Sequence, residues 1–261
     1  MDLDLRGKRA VVCGSTRGIG KAIAIELALL GAEVTLIARN QGALQATLQE
    51  LAHNHGQRHE YLVADFNFPE KLRSLIDAYT AKTIVHILVN NTGGPPGGQV
   101  IDAEPEDFIR ALSAHLLCNQ VLAQAVMPGM KKAAYGRIIN VISTSVKMPI
   151  PGLGVSNTTR GAVASWAKTL SLELGQFGIT VNNVLPGATR TDRLEELNRI
   201  KAEKMGKSIE LIQEEMIREI PAGRLASPQE VAAAAAFLAT PAAGYINGTS
   251  IPVDGGRTGS L

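Results

Sequence analysis

The 261-residue chain has only two cysteines, no excess of either charge and no long apolar run. Its 26 basic and 24 acidic residues nearly cancel, which argues against a nucleic-acid interface or a polybasic membrane patch. The longest apolar stretch, Val231 to Ala239, is too short to span a bilayer, and the acidic N-terminal segment does not suit a secretory signal. We therefore expect a cytoplasmic protein that acts on a small molecule, without a nucleic-acid or membrane partner.

The cysteines and most histidines show no pattern that would hold a metal. Cys13 and Cys118 have no metal-ligand spacing around them, and we expect both to be buried thiols. His53, His55 and His59 lie close together but lack a carboxylate or cysteine at ligand spacing. We interpret these histidines as solvated, and the sequence predicts no metal site.

Short apolar runs alternate with longer segments of helical period along the chain. With 45% apolar residues, a chain of this length suits one α/β domain, 1–261, better than two small ones. The predicted strands are Lys8 to Cys13, Glu33 to Ala38, Tyr61 to Ala64, Ile84 to Asn90, Arg137 to Ser143, Thr180 to Leu185 and Thr249 to Val253. The alternation predicts a three-layer, doubly wound α/β fold with a seven-stranded parallel sheet and helices on both faces.

Helical patterns include Gly18 to Leu30 and Arg160 to Leu174, the second with apolar residues three or four apart on one face. Ser227, followed by a proline and two residues later by a glutamate, predicts the start of another helix. The segment from Arg190 to Arg224 is more charged than its flanks. We interpret it as an inserted helical flap over a binding site.

The strongest motif lies between the first predicted strand and the first predicted helix. It consists of Gly14, Ser15, Thr16, Arg17, Gly18, Ile19 and Gly20. Gly14 permits a tight turn, Gly18 lets the backbone approach a pyrophosphate, and Gly20 lets the helix pack close to the sheet. The N–H groups and the dipole of the helix N-terminus also favour phosphate. This context favours a dinucleotide site over a plain glycine-rich turn.

The end of the second predicted strand indicates which dinucleotide binds. A site for NAD places an acidic residue there, about twenty residues after the glycine motif, to hold the ribose hydroxyls. This chain has Arg39 and Asn40 instead. Arg39, together with Arg17, offers guanidinium groups to a 2′-phosphate, although either arginine could be an ordinary solvated charge. The sequence therefore predicts NADP(H) as the cofactor.

Motifs at the ends of three later strands extend this pattern. They are Asn90, Asn91, Thr92 and Gly93 after the fourth strand, Ser143 after the fifth, and Pro186, Gly187 and Thr191 after the sixth. With the glycine motif and the C-terminal segment Tyr245 to Gly256, they resemble the short-chain dehydrogenase/reductase family, most closely its 3-oxoacyl-acyl-carrier-protein reductases. The resemblance covers essentially the whole chain, and it implies a Rossmann fold and a homotetramer or homodimer.

The resemblance also implies which residues line the cofactor. These are Asp65 and Phe66 beside the adenine, Asn91, Thr92 and Gly93 along the ribose, and Pro186, Gly187, Thr189 and Thr191 around the nicotinamide amide. All lie at the carboxyl ends of strands, where open parallel sheets bind ligands. Asp65 and Asn91 can serve as turn residues at the same time.

The catalytic part departs from the family pattern. The family places a tyrosine thirteen residues after the serine and a lysine four residues later. Counted from Ser143, these positions hold Ser156 and Arg160. A family asparagine, counted back from the segment 127–130, falls on His115. Ser143 is thus the one family catalytic residue of four that this chain retains.

These replacements change the chemistry. Reduction leaves negative charge on the carbonyl oxygen, and a positioned acid must supply a proton. Ser156 is a much weaker acid than tyrosine, and Arg160 contributes charge but does not relay a proton as an amine does. His115, with an ordinary pKa near neutrality, is the candidate donor, although it could also be a histidine packed on a helix face. Ser143, Ser156 and Arg160 could alternatively polarise a carbonyl or bind a carboxylate.

Three functional hypotheses follow. The first is an NADP(H)-dependent reductase or dehydrogenase of a small carbonyl or alcohol, with a non-standard proton donor. The second is a protein that binds NADP(H) without turnover, and the third is a lyase or isomerase on the same fold. We favour the first, because a structural relic has little reason to retain Ser143, the nicotinamide loop and the charged flap.

Overall fold

The structure, a computed structural model, describes residues 1–260 and contains one parallel seven-stranded sheet. The strands are β1 (Arg9–Cys13), β2 (Glu33–Ala38), β3 (Glu60–Val63), β4 (Ile87–Asn90), β5 (Gly136–Val141), β6 (Ile179–Pro186) and β7 (Ser250–Val253), in the spatial order β3-β2-β1-β4-β5-β6-β7. The chain moves outward from β1 in one direction and then, from β4, in the other. This is the doubly wound Rossmann arrangement, and the predicted fold class is confirmed.

The helices cover both faces of the sheet. They are α1 (Gly18–Leu29), α2 (Gln41–Leu48), α3 (Pro69–Thr80), α4 (Pro105–Leu112), α5 (Cys118–Ala133), α6 (Gly154–Leu174), α7 (Asp192–Met205), α8 (Ile209–Arg218) and α9 (Pro228–Ala239). Leu27 of α1 and Val231 of α9 belong to the apolar core on one face, while Ile76 of α3 and Met130 of α5 belong to the core on the other. Because both faces are covered, the inner strands are apolar almost throughout.

A chain of side-chain amides crosses the strands near the edge where the functional loops emerge. Asn90 Nδ2 donates to Asn140 Oδ1 at 2.8 Å, Asn140 Nδ2 donates to Asn183 Oδ1 at 3.0 Å, and Asn183 Nδ2 donates to Ser250 Oγ at 3.0 Å. These residues pair directly in the register of β4 to β7. The chain links four strands and stabilises the edge that carries the loops.

The predicted strands agree with the observed ones to within three residues at each end, but α6 begins earlier than the periodicity predicts. It starts at Gly154, not at Arg160. The intervening polar residues are poor helix formers, so they give no apolar period. In the structure Thr158 and Thr159 donate their hydroxyls to the carbonyl oxygens of Gly154 and Val155, at 3.1 and 2.8 Å. Tertiary packing of this first turn thus overrides local propensity.

Cys13 and Cys118 are free and buried, as predicted, and burial raises the pKa of both thiols. The interpretation of all three clustered histidines as solvated is wrong for His59. Its Nδ1 accepts from the backbone N–H of Val34 at 3.0 Å, and its Nε2 donates to the carbonyl oxygen of Ala52 at 2.8 Å. Within 1–260, no group of three suitable side chains could hold a metal ion. None of the helices in that range is long and apolar enough to cross a membrane.

The charged segment predicted as a helical insertion contains α7 and α8. Thr191 caps α7, Gly206 (φ 62°) ends it, and Ser208 caps α8. Ser227 caps α9 and forms a capping box with Glu230, as its sequence pattern predicts. Side-chain caps thus set both ends of the segment that follows β6.

Candidate active site

The glycine motif forms the turn between β1 and α1. Gly14 (φ 57°) and Gly18 (φ 53°) have left-handed backbone conformations that glycine adopts without strain. A Cβ on Gly20 would lie 2.3 Å from the carbonyl oxygen of Gly14. No side chain caps the N-terminus of α1, and its first turn holds no acidic residue. The N–H groups and the positive end of the helix dipole are therefore oriented to hold an anion.

The side chains of the glycine motif lie in different environments. Ser15 is fully buried, and its hydroxyl donates at 3.4 Å to a carbonyl oxygen of β2. Ile19 packs against the core, whereas Thr16 is partly exposed. Arg17 is exposed and forms an ion pair with Asp192 of α7 at 3.2 Å. The motif therefore contributes mainly backbone to a ligand, with Arg17 at its rim.

The loops after β4 and β6 both contact this turn. Asn91, which follows β4, donates its Nδ2 to the carbonyl oxygens of Cys13 and Gly14, both at 3.2 Å. Thr191, which follows β6, approaches so closely that a Cβ on Gly18 would lie 3.1 Å from its Cγ2. The structure thus brings the loops after β1, β4 and β6 together at one edge of the sheet.

Arg39 and Asn40 follow β2 as predicted, but they do not act as a pair. The side chain of Asn40 accepts from the backbone N–H of Ala43 at 2.9 Å and caps α2. Arg39 is exposed, and within the described chain it has no ion pair or hydrogen bond from its side chain. Arg17 forms one exposed ion pair with Asp192, whereas the guanidinium of Arg39 has no such partner within residues 1–260, so the joint role of the two arginines stays a prediction.

The residues implied for the adenine side lie after β3. Asp65 accepts from the backbone N–H of Asn67 at 2.9 Å, which is an ordinary turn contact. Phe66 packs against the core, and its carbonyl oxygen accepts from the thiol of Cys118 at 3.3 Å. Both residues thus have structural contacts that hold the loop after β3.

Hydrogen bonds hold the loop after β6 at both of its ends. Pro186 ends the strand, and the backbone N–H of Gly187 donates to the carbonyl oxygen of Val253 at 3.0 Å. Thr189 is buried and donates its hydroxyl to the carbonyl oxygen of Gly187 at 3.1 Å. Thr191 uses its Oγ1 to cap the first turn of α7. The loop is therefore rigid at both ends, and it leads directly from the sheet into the charged helices.

Arg160 reaches the end of β5, which is close in sequence to Ser143. Nη1 of Arg160 donates to the carbonyl oxygen of Val141 at 3.2 Å, two residues before Ser143. Ser156 lies one helical turn before Arg160 and is partly buried. Oγ of Ser143 accepts from the backbone N–H of Ser145 at 3.1 Å, so its own proton is free to be donated. The guanidinium of Arg160 thus lies at the strand end that leads to Ser143, and Ser156 lies one helical turn before it.

Arg160 is an unusual cation for its surroundings. It is 8% exposed, and no carboxylate within residues 1–260 forms an ion pair with it. Burial lowers its pKa to about 10, and the nearby charge of Arg193 contributes in the same direction. Arg160 nevertheless stays positive at neutral pH, so the site holds a positive charge without a protein counter-ion.

His115 lies in a π-helical segment, Ser113–Leu117, between α4 and α5. It is 3% exposed, its Nδ1 shares a hydrogen bond with the hydroxyl of Thr92, and the backbone of Gly93 is a second partner of the ring. Burial, followed by the charge of Arg160, lowers its pKa to about 2. The predicted role of His115 as proton donor depended on a pKa near neutrality. The ring has a much lower pKa and is neutral near pH 7. Its contacts position the loop that carries Thr92.

His115 should make the protein sensitive to acid. An unfolded histidine has a pKa of about 6.5, so below that pH the unfolded chain binds a proton that the folded chain, with a pKa of about 2, does not. Stability therefore falls as the pH drops from about 6.5 towards 2, and about 2 kcal/mol of it is lost by pH 5. We expect His115→Asn to reduce this loss, measured by urea unfolding at pH 7 and pH 5.

The matched control is His55→Asn, at an exposed histidine, which should retain the acid sensitivity of the unmodified protein. An equal loss of stability at pH 5 in the His115→Asn variant would show that this ring is not buried in its neutral form.

Arg193, in the first turn of α7, lies near Arg160 and was not singled out by the sequence pattern. Its Nη2 donates to the carbonyl oxygen of Pro95 at 2.5 Å, and its Nη1 pairs with Glu196 at 3.0 Å. The loop that holds Pro95, 93–98, also bonds to the start of α6, where the backbone N–H of Gly98 donates to Gly152 at 2.7 Å. In the sequence, Arg193 lies two residues after Thr191, within the charged segment. Its charge alone did not distinguish it from the other charged residues of that segment.

The comparisons with known proteins agree over nearly the whole chain. A family profile described as enoyl-(acyl carrier protein) reductase matches residues 14–258. The 3-oxoacyl-(acyl-carrier-protein) reductase of Vibrio cholerae is 34% identical over 255 residues, which cover 97% of this chain and 98% of that protein. The 7alpha-hydroxysteroid dehydrogenase of Escherichia coli strain K12 is 32% identical over 261 residues, which cover 100% of this chain and 98% of that protein.

A solved structure gives the same result. The L-sorbose reductase of Gluconobacter frateurii, complexed with NADPH and L-sorbose, superimposes with a TM-score of 0.92 at 29% identity and covers 100% of both chains. The profile match, the identities and the strand order agree with one another. The chain therefore belongs to the short-chain dehydrogenase/reductase family of NAD(P)-dependent oxidoreductases.

Proposed function

We propose that this chain is an NADP(H)-dependent reductase of a carbonyl compound, of the 3-oxoacyl type or a related ketone, that works without the family's tyrosine and lysine. The observation that carries the proposal is Arg160, a buried cation that reaches the strand end beside Ser143. Burying an unpaired charge costs stability. A charge retained there in spite of that cost suits a site in which negative charge develops on a substrate oxygen.

The residues present fit the proposed cofactor. The uncapped N-terminus of α1 and the left-handed glycines Gly14 and Gly18 form a backbone cradle for a pyrophosphate. Arg39 offers an unpaired guanidinium to a 2′-phosphate at the end of β2, where a carboxylate would favour NAD instead. The L-sorbose reductase that this chain resembles was solved with NADPH. When bound, the cofactor supplies the hydride.

The protein's own groups would then act on the carbonyl oxygen. The hydroxyls of Ser143 and Ser156 donate hydrogen bonds to the oxygen as its charge grows, and Arg160 stabilises that charge through its guanidinium. The same hydroxyls can pass a proton from water to the alkoxide. His115, neutral and bonded to Thr92, holds the loop after β4 in place and is a weaker candidate for the donor than the sequence suggested. Turnover that is unchanged in His115→Ala would remove it from the proton path.

The primary experiment combines cofactor binding with turnover. NADPH and NADH are titrated by fluorescence, and NADPH oxidation is then followed over ketones, quinones and 3-oxoacyl thioesters. Turnover with NADPH supports the proposal. Tight binding without turnover, which persists in a Ser156→Tyr/Arg160→Lys double variant, would favour a cofactor-binding protein or a non-redox enzyme. The cytoplasmic location and the homotetramer or homodimer stay predictions.

We expect Arg39→Asp to weaken NADPH binding by about tenfold to a hundredfold, because a charge-assisted hydrogen bond is worth about 1.5–3 kcal/mol. NADH binding should be unchanged or tighter, since the new carboxylate can hold the ribose hydroxyls. Fluorescence titration of both nucleotides measures the effect. Arg58→Asp, at another exposed arginine, is the control and should leave the NADPH to NADH ratio unchanged. Equal weakening in both variants would mean that Arg39 acts only through general charge.

We also propose that α7 and α8 form the substrate flap. Arg193 bonds to the loop 93–98 through Pro95, and a Cβ on Gly97 would lie 3.7 Å from a methyl group of Leu197 in α7. The flap and the loop therefore already touch across the mouth of the site. A substrate bound beneath them would be shielded from water.

A further inference from the structure

Two guanidinium groups converge on one point of the active-site loop. A Cβ built on Gly94 would lie 3.9 Å from Nη2 of Arg160, 3.8 Å from Nη2 of Arg193 and 3.9 Å from Nε of Arg193. The two arginines come from different elements, α6 and α7, and both border the position that a Cβ on residue 94 would occupy. Like charges this close repel, so their juxtaposition needs a compensating anion.

The protein supplies a carboxylate partner to Arg193 but none, within the described residues, to Arg160. Arg160 makes one hydrogen bond, to the carbonyl oxygen of Val141, and it is nine-tenths buried with most of its five N–H donors unpaired within the described chain. Arg193 pairs with Glu196 through Nη1 and donates one N–H of Nη2 to the carbonyl oxygen of Pro95, and its Nε and Nη2 edge borders Gly94. His115, the other titratable group against Arg160, is neutral, and Asp192 pairs outward with Arg17.

We propose that Arg160 and Arg193 together bind the carboxylate of the substrate, so that the natural substrate is an oxo acid whose carboxylate lies one or two carbons from the reduced carbonyl. This inference rests on the proposed reductase function and narrows it. A carboxylate matches the planar fork of a guanidinium in two parallel hydrogen bonds. The carboxylate would lie at Gly94, and the carbonyl would then reach Ser143 and Ser156, since Arg160 borders both places.

The chemical step balances with the proposed cofactor. A hydride moves from the reduced nicotinamide to the carbonyl carbon, the carbon–oxygen double bond becomes a single bond, and the oxygen takes a proton from water through a serine hydroxyl. The products are a hydroxy acid and the oxidised cofactor. The carboxylate takes no part in bond making. It holds the substrate and offsets the charge of the two arginines.

The kinetic test compares a short oxo acid with its methyl ester, which has the same carbonyl but no charge. We expect the unmodified enzyme to prefer the acid in kcat/KM. Arg193→Gln should lower kcat/KM for the acid by about 10- to 100-fold more than for the ester, and Arg193→Lys should restore part of it. Arg199→Gln, at an exposed arginine on the same helix, is the control. Equal loss on acid and ester, or no preference for the acid, would overturn the inference.

A binding test separates this inference from the proposed function. Calorimetry follows oxamate, a stable mimic of a 2-oxo acid, added to the protein with oxidised NADP, alongside inorganic phosphate and oxamide. Oxamate binding that is lost in Arg193→Gln supports the carboxylate site even if no carbonyl compound is turned over. Phosphate that binds as well as oxamate, or oxamate that binds equally to the variant, overturns it. If the unmodified protein binds oxamate and Arg193→Gln does not, but no carbonyl compound is turned over, the result would count against the reductase proposal alone.

Discussion

Replacement of Arg160 by leucine should abolish most of the activity while leaving the protein folded. Removal of one group that stabilises a developing oxyanion lowers kcat by about 10²–10³-fold. The stability should change by no more than about 1–2 kcal/mol, because the variant loses the hydrogen bond to Val141 but also removes an unpaired buried charge. Steady-state kinetics with the best carbonyl substrate and urea unfolding measure the two effects separately.

Arg160→Lys distinguishes charge from shape. Lysine retains the positive charge but presents a single ammonium instead of a planar fork, so it should recover part of the lost activity. A leucine variant that keeps full turnover would show that this guanidinium does not act on the reacting oxygen. A leucine variant that unfolds would mean that Arg160 stabilises the folded protein.

Replacement of Gly20 by alanine should prevent the glycine turn from forming. The new Cβ would lie 2.3 Å from the carbonyl oxygen of Gly14 and 2.5 Å from Nδ2 of Asn91. The first of these is backbone and cannot move aside, so α1 must shift away from the sheet. Overpacking of this kind costs about 1–3 kcal/mol. NADPH affinity should fall below detection, because the N-terminus of α1 is the proposed pyrophosphate site.

Gly161→Ala is the control for that variant. Gly161 lies in α6, and nothing comes within 4 Å of a Cβ built on it. Alanine is a better helix former than glycine by up to about 1 kcal/mol, so this variant should be slightly more stable. Calorimetric Tm values and NADPH titration compare the two. If both alanine variants bind NADPH like the unmodified protein, the close contact at Gly20 does not control the cofactor site.

The elements that could be predicted from sequence are those with a strong local signal. The turn after β1 is one example, since its backbone is left-handed at Gly14 and Gly18, and glycine adopts that conformation without strain. The start of α9 is another, because Ser227 and Glu230 cap each other within one turn. The start of α6 could not be read in this way, because its first turn is polar and becomes helical through packing and side-chain bonds to the backbone.

The candidate site divides along the same line. Counting along the family pattern predicts roles for Ser143, Ser156 and Arg160, and the structure shows that Arg160 reaches the end of β5 through Val141. The protonation state of His115 could not be predicted from the sequence, since its pKa depends on burial and on the charge of Arg160, which is 45 residues away in the chain. The ion pair between Arg17 and Asp192 likewise could not be predicted, because the two residues are far apart in the sequence and no local pattern connects them.

By itself, the sequence of this protein determined the order of strands and helices along the chain and the glycine turn, because each depends on residues that are neighbours in the chain. The tertiary structure alone decided that Arg160 is buried without a carboxylate and that Arg193 faces it across Gly94. Those features arise where α6, α7 and the loop after β4 meet, and electrostatic interactions depend on distance and burial rather than on separation along the chain.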